Sequence, residues 1–247
     1  EKGIIFLSTP YDEDSADLLD DLGVPAFKLA STDTSNLPLL RHVARKNKPL
    51  IISSAMCTMA EVITAVETIR SEKLEKIVVL QCTGNYPSKL EDSNLNVMGS
   101  YREILNCLVG YSDHTFELIN PVASVALGAA VYEKHFTIDK FLPGPDHRMS
   151  LSPDELKMTI EAIKQTQVAL GSRNKVVLPS EEENRKKLRK SLVSAADIAK
   201  GTNITAEMIC IKRPGNGISP AKLQEIIGRE ILLDVAEDTI LQDLMFK

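Results

Sequence analysis

Two histidines stand out because each follows a short apolar run. His114 comes just after residues 108–111, and His135 comes just after residues 129–132. The Ala-rich stretch 121–130 between these runs has the character of a helix, and a strand–helix–strand unit makes its two strands parallel neighbours. Both imidazoles would then emerge at the edge of the sheet where α/β folds bind ligands. Two neutral imidazoles leave positions open on a divalent ion, so the pattern predicts a Lewis-acid metal site rather than a closed structural zinc.

A lysine and several hydroxyl side chains form a second group of candidates. Lys28 lies within an otherwise apolar strand candidate, where an unpaired ammonium would be costly. Hydroxyl residues also recur at strand ends, namely Thr9, Ser31, Ser53, Thr83 and Ser112. Converging hydroxyls, backbone N–H groups and a lysine suit a phosphate or carboxylate. The alternative for Lys28 is an ion pair with a structural carboxylate.

Three further residues, Asp146, His42 and His147, stand apart from these two groups. Asp146 ends the stiff Pro143-Gly-Pro-Asp loop beyond the second histidine, where it is either a site carboxylate or a turn residue. His42 falls in a predicted helix and His147 in this loop, so surface roles are expected for both.

The elements that must position these side chains alternate between apolar strands and helical patterns, which indicates βα units and a parallel sheet. The six strand candidates are residues 4–8, 26–29, 50–53, 77–81, 108–111 and 129–132. Ser152 is predicted to cap the helix that follows, with Pro153 at its first position. A closed (β/α)8 barrel needs eight such units. The glycine-rich fingerprint of a Rossmann fold is absent after the first strand candidate.

The chain changes character after this helix. We predict a catalytic domain over residues 1–172, a highly charged linker over 173–190, and a small domain of mixed structure over 191–247. The linker's acidic residues precede its basic ones, as in a solvated segment or an exposed helix.

Composition narrows the functional classes. A formal net charge of −5 gives no basic surface for nucleic acid. No apolar run approaches the roughly 20 residues that span a bilayer, and no signal peptide is visible. The four cysteines are scattered without a CxxC pair. Free thiols and a cytoplasmic location are therefore expected.

Taken together, the local motifs resemble the N-acetylneuraminate (sialic acid) synthase family. The motifs are Phe6-Leu-Ser-Thr-Pro, Phe27-Lys-Leu-Ala-Ser, Tyr111-Ser-Asp-His-Thr, Glu133-Lys-His-Phe, Pro143-Gly-Pro-Asp and Arg213-Pro-Gly-Asn-Gly. The resemblance implies an α/β fold, a TIM (β/α)8-type barrel followed by a small antifreeze-like (SAF) domain. The six strand candidates match the third to eighth barrel strands, and the first two βα units have no counterpart.

The resemblance also implies a reaction. The family is a group of C–C bond-forming transferases that condense phosphoenolpyruvate with an N-acylated hexosamine such as N-acetylmannosamine and release phosphate. His114 and His135 would hold Mn2+, with Mg2+ or Co2+ as alternatives, and Asp146 would be a third catalytic residue. The implied substrate-binding residues are Thr9, Lys28, Ser31, Ser53, Thr83, Asn85, Tyr86, Ser112, Glu133 and Arg213. Arg213 would act in the partner subunit of a domain-swapped homodimer.

Two departures from the family pattern leave alternatives open. The sequence has Gly84 followed by Asn85 where Cys-Thr-Asn members have an asparagine first, so the contact is either lost or moved to Asn85. Legionaminic or pseudaminic acid synthesis by the same chemistry is therefore an alternative. The family's acid/base glutamate and second phosphate-binding lysine come from the two βα units that have no counterpart in this sequence. A second alternative is therefore a non-catalytic barrel that binds a ligand or a partner. A metal hydrolase using His114, His135 and Asp146 is the third alternative, and Lys28 would then have no role.

Overall fold

The computed structural model describes residues 3–247, which belong to two compact units with the bounds Glu1–Gly171 and Ser172–Lys247. The first unit is an α/β structure built on one parallel sheet with the order β1-β2-β3-β4-β5. Its strands are β1 Phe27–Leu29, β2 Leu50–Ser53, β3 Ile77–Cys82, β4 Leu108–Asp113 and β5 Val131–Lys134. Its helices are α1 Glu13–Asp21, α2 Leu37–Ala44, α3 Met59–Ser71, α4 Val97–Leu105, α5 Asn120–Ala126 and α6 Pro153–Leu170.

The two faces of the sheet have different roles because side chains alternate along each strand. One set of alternate residues, including Phe27, Ile52, Val79 and Tyr111, is fully buried in the core that the sheet forms with its helices. The other set points to the inner, concave face and becomes polar toward the strand ends. The alternation of side chains thus separates a hydrophobic layer from the inner face, whose polar residues gather at the carboxyl ends of the strands.

The sheet is strongly curled. Neighbouring strands lie about 4.8 Å apart, so the first and fifth strands of a flat sheet would be separated by roughly 19 Å. Lys28 of β1 and Glu133 of β5 nevertheless form an ion pair with an Nζ–Oε2 distance of 3.4 Å. The α/β class with a curled parallel sheet is therefore confirmed.

Two capping boxes begin helices at the positions that their sequences favour. Thr58 accepts a hydrogen bond from the backbone of Glu61 at the start of α3, and Ser152 does the same with Glu155 at the start of α6. In each case the glutamate carboxylate accepts a hydrogen bond from the backbone N–H of the capping residue. The predicted start of α6 at Ser152 is confirmed.

The predicted first strand, residues 4–8, is wrong for this structure. The segment has no regular secondary structure and, within residues 3–247, no ladder to β1. Its side chains are solvent-accessible, Ile4 at 86% and Ile5 at 71% of their full areas. An apolar run has strand propensity, but a strand forms only where its N–H and C=O groups find partners. The predicted 121–130 helix is also shorter, ending at Ala126.

The second unit has its own core. It contains the exposed helix α7 (Glu182–Leu188), the antiparallel pair β6 (Ser191–Ser194) and β7 (Ile209–Lys212), and the short helix α8 (Leu223–Ile226). Leu192, Ile204 and Ile231 are fully buried in it. Across residues 3–247, no helix has the length and apolar character needed to cross a membrane.

Candidate active site

A cleft of about 570 Å³ opens at the polar mouth of the curled sheet. It collects residues from the carboxyl ends of all five strands, from the segment that precedes α1, and from two loops. The lining residues are Thr9, Tyr11, Lys28, Ala30, Ser31, Ser53, Cys82, Tyr86, Ser112, His114, Glu133, His135 and Asp146. Ten of the thirteen residues that the sequence singled out as site candidates are therefore brought together here. Thr83, Asn85 and Arg213 are not among its lining residues.

Strand register explains how the central row of the cleft forms. Cys82 of β3 lies opposite Ser112 of β4, and Ser112 lies opposite Glu133 of β5. Paired residues of neighbouring strands point to the same face. The three side chains therefore form a continuous row on the inner face. Gly110, on the same face, leaves no room for a side chain, because a Cβ there would lie 2.3 Å from the carbonyl oxygen of Val131.

Glu133 joins opposite sides of the cleft. Its Oε1 accepts a hydrogen bond of 2.7 Å from the Ser112 hydroxyl. Its Oε2 lies 3.4 Å from Lys28 Nζ, and the lysine side chain is only 14% exposed. Lys28 thus forms an ion pair with a carboxylate, which was the alternative interpretation of this lysine. Its partner Glu133 is itself a residue of the cleft.

Two serine hydroxyls of the cleft could donate to a ligand. Ser31 Oγ accepts a hydrogen bond of 2.9 Å from the backbone N–H of Ala55, so its own proton is directed away from Ala55 and toward the cleft, beside the Cys82 thiol. Ser53 Oγ is buried and, among residues 3–247, has no hydrogen-bond partner. A buried hydroxyl without a partner carries a desolvation cost that a ligand oxygen would relieve. These hydroxyls and Lys28 form a set of donors suited to an anion.

The protonation pattern of His114 follows from one contact. Its Nδ1 lies 3.0 Å from the carbonyl oxygen of Thr83, which can only accept, so Nδ1 carries the proton. The lone pair of the neutral ring is then on Nε2. Burial lowers the pKa of His114, and the bond to Thr83 only partly opposes this shift. The ring is therefore held as a neutral imidazole, the form that binds metals.

His135 and Tyr86 complete the polar end of the cleft. The ring centroids of His114 and His135 are 5.3 Å apart. Tyr86 packs on the first ring at 4.0 Å and meets the second edge-on at 5.7 Å. Asp146 Oδ2 lies 3.8 Å from His135 Nδ1, beyond direct hydrogen-bond distance.

His114 and His135 are the two residues of the cleft that could hold a divalent ion, because neutral imidazole nitrogens are common metal ligands. The Thr83 carbonyl fixes the tautomer of one ring in the way that outer partners orient metal-binding histidines. In the part of the chain that the structure describes, no three or more His, Cys, Asp or Glu side chains are gathered as a ligand set. Two protein ligands would leave several positions open for water and substrate.

A buried ionic network supports the histidines from the other face of the sheet. Asp113 and Lys134 are register partners, and their Oδ2–Nζ distance is 3.5 Å. Asp113 also accepts hydrogen bonds from the Tyr132 hydroxyl at 2.6 Å and from the Thr115 backbone at 2.8 Å. Lys134 donates to the Thr115 carbonyl. Each member of the ion pair directly precedes one of the histidines.

Two predicted substrate-binding residues line a neighbouring cleft of about 510 Å³ instead. The Thr83 hydroxyl donates to the Asp92 carbonyl at 2.7 Å, so Thr83 meets the histidine cleft only through its backbone. Asn85 is exposed beside it, and Cys82 borders both clefts. At Gly84 an added Cβ would lie 3.1 Å from Met56 Cγ, so the glycine accommodates this methionine.

The remaining candidates lie elsewhere. His42 Nε2 is 2.7 Å from Asp17 Oδ1, and His147 Nδ1 is 2.7 Å from the Thr137 hydroxyl. Arg213 follows β7 in the second unit and is exposed. The sequence reasoning missed Tyr11 and Cys82, both of which line the cleft. The position of Cys82 at a strand end would have identified it, whereas no local signal marks Tyr11.

Comparison with known proteins places the chain in a family. The NeuB family profile matches residues 1–175, and the SAF domain profile matches residues 189–247. The chain belongs to the NeuB family. This NeuB chain is 40% identical to N,N'-diacetyllegionaminic acid synthase of Legionella pneumophila, over 97% of its own length and 68% of the relative's. It is 38% identical to human N-acetylneuraminate-9-phosphate synthase, over 99% of its length and 69% of the relative's.

A solved structure supports the same assignment. The N-acetylneuraminic acid synthetase of Leptospira borgpetersenii, in complex with citrate, matches with a TM-score of 0.70 at 32% identity. The match covers 74% of the NeuB chain and 64% of that structure. The resemblance to sialic acid synthases is confirmed, as is the C-terminal SAF domain. The chain is thus a member of a family of sialic acid synthase-type enzymes.

Proposed function

We propose that this chain is a nonulosonic acid synthase that condenses phosphoenolpyruvate with an N-acylated hexosamine and releases inorganic phosphate. The observation that carries the proposal is the pairing of two sites in one cleft. One wall holds Lys28 and the unpartnered hydroxyl of Ser53, which suit an anion. The other holds two imidazoles with ring centroids 5.3 Å apart, one of them held as a neutral ring by the Thr83 carbonyl.

Each wall would have its own task in the reaction. Lys28, Ser31 and Ser53 would bind the anionic groups of phosphoenolpyruvate and hold its methylene toward the histidines. His114 and His135 would hold the divalent ion, which when bound supplies a Lewis acid for the carbonyl oxygen of the open-chain sugar. Tyr86, which packs on both rings, and Asp146 would orient the sugar.

The bond changes balance without a further reactant besides water. The methylene carbon of phosphoenolpyruvate forms a bond to the aldehyde carbon of the sugar. Water adds to the enol carbon, and the C–O bond to phosphate breaks, giving the 2-keto acid and inorganic phosphate. The clustering of polar groups in a cleft shielded by the curled sheet favours the charges that develop.

The anion wall separates this proposal from metal-dependent hydrolysis. A hydrolase would need the two histidines and Asp146 but no lysine at the opposite side of the mouth. The buried Lys28 and its neighbouring hydroxyls support a reaction with a strongly anionic substrate.

A phosphate-release assay tests the proposal. The full chain with Mn2+ and phosphoenolpyruvate should release phosphate only when an N-acylated hexosamine is added, either N-acetylmannosamine or a 2,4-diacetamido analogue. Lys28→Met should lower kcat/KM by about 100-fold, because a lost charge-assisted contact at a reacting anion costs roughly 3 kcal/mol. Chelation of the metal should abolish release.

Lys89→Met is the matched control, since Lys89 is a surface lysine whose partner is Glu91. It should behave as the wild type. Phosphoenolpyruvate binding without release with any of these sugars would instead support a non-catalytic binding protein.

A further inference from the structure

Glu133 is a carboxylate located among groups that suit an anionic ligand. It projects from β5 onto the inner face of the sheet, opposite Ser112. One carboxylate oxygen accepts from the Ser112 hydroxyl at 2.7 Å, and the other lies 3.4 Å from Lys28 Nζ. Both oxygens are therefore engaged by donors of the cleft.

These partners are part of a larger donor set. Lys28 and Ser112 are engaged by Glu133, whereas Ser31 makes no contact with Glu133 and Ser53 has no partner among residues 3–247. A phosphate or carboxylate ligand that used the whole set would need the two donors that Glu133 now holds. Ligand and side chain would also repel each other as like charges.

Exposure indicates which partner would move. The Lys28 side chain is 14% exposed and is confined by the strands, while that of Glu133 is 38% exposed and reaches solvent. The carboxylate can therefore turn toward water and remain solvated once its contacts are broken, whereas the lysine cannot. Lys28 would be left in place as the cationic centre of the donor set.

We propose that Glu133 is an internal substitute for the anionic ligand: it neutralises Lys28 in the free protein and is displaced when the ligand binds. The inference rests on the proposed function only for the identity of the ligand as phosphoenolpyruvate. The substitute stabilises an otherwise unpaired, largely buried ammonium. It also lowers affinity for every anion, because each must displace it.

The test is a calorimetric titration of the full chain with inorganic phosphate in the presence of a metal chelator. Glu133→Gln keeps the size of the side chain but removes its charge, so phosphate should bind about tenfold more tightly, the factor that corresponds to one weak ion pair. In a Lys28→Met background the gain should disappear, because the displaced interaction is no longer present. Circular dichroism checks that the variants are folded.

Two further variants make the test specific. Asp146→Asn removes one negative charge from the same cleft without a contact to Lys28 or Ser112, so its gain should be clearly smaller. Glu133→Asp keeps the charge on a shorter arm and should give an intermediate gain.

Three outcomes decide the inference. If Glu133→Gln binds phosphate more tightly than the wild type does, the inference is supported. The same holds if the variant binds phosphate and the wild type shows no detectable binding. Equal or weaker binding by this variant overturns it, while hexosamine-dependent phosphate release by the wild type would leave the proposed function standing. If neither protein binds phosphate, the anion site itself is wrong and both proposals fail.

Discussion

The ring of His114 gains its role from a single acceptor. The Thr83 carbonyl accepts a hydrogen bond from Nδ1–H, and burial lowers the pKa of the ring. Nε2 therefore keeps a lone pair that is free to bind a metal. Tyr86 limits the movement of the ring by packing on its face. His135 is restrained less than His114, since the carboxylate nearest to its Nδ1, that of Asp146, is 3.8 Å away. At the scale of residues, the proposed metal site is therefore preorganised mainly at His114.

His114→Ala and His135→Ala should each weaken Mn2+ binding by at least about 100-fold, because loss of outer partners alone costs 10–100-fold. Titration calorimetry or electron paramagnetic resonance of Mn2+ measures the effect. His42→Ala is the control, because this histidine contacts Asp17 at the surface. Unchanged Mn2+ affinity in both cleft variants would rule out the two-histidine site.

At the scale of elements, the register of β4 and β5 serves both faces of the sheet. On the inner face it places Ser112 beside Glu133, and on the outer face it places Asp113 beside Lys134. The outer pair is almost completely buried, with side-chain exposures of 0% and 5%. Burial lowers the pKa of Lys134, although Asp113 opposes the shift. The pair therefore fixes the strands at the two residues that precede the histidines, at a considerable desolvation cost.

Lys134→Met should destabilise the first unit by about 3 kcal/mol, because it leaves the buried Asp113 carboxylate without its cation. The double variant Asp113→Asn with Lys134→Met should recover part of this loss. Urea unfolding followed by circular dichroism measures both. Lys140→Met, which breaks the more exposed pair with Glu155, should cost less than about 1 kcal/mol. A cost for Lys134→Met as small as this would contradict a structural role of the buried pair.

At the scale of the whole molecule, two units with separate cores share one chain. The first contains the histidine cleft, and the second carries Arg213, which is exposed and belongs to no ion pair described in residues 3–247. An exposed arginine with free donors suits a planar anionic or polar group. We propose that Arg213 acts in the cleft of a partner subunit of a homodimer.

Subunit complementation tests this proposal. Arg213→Ala and His114→Ala should each be inactive or nearly so in phosphate release. A mixture that exchanges subunits should regain up to about a quarter of wild-type activity, since one of the two clefts in each mixed dimer has neither defect. Arg229→Ala, which removes an arginine stacked on Phe246, is the control and should retain phosphate release. Failure of the mixture to regain activity would contradict action between subunits.

Much of the framework could be predicted from local sequence. The helix start at Ser152 follows from its capping box, and β2 matches the predicted run 50–53, because caps and short apolar runs act over a few residues. The position of His114 at the end of β4 follows for the same reason. The error at residues 4–8 has the complementary cause. Strand propensity is local, but the backbone ladder that completes a strand is not.

The sequence by itself determined the alternation of elements, the family, and the side chains that the strand ends present. Only the tertiary structure decided which of these side chains meet. Lys28 and Glu133 belong to opposite edges of the sheet and touch because the sheet curls. Thr83 orients His114 through its carbonyl while its hydroxyl turns to Asp92. Curvature and side-chain partners depend on packing between distant segments, and no local pattern encodes them.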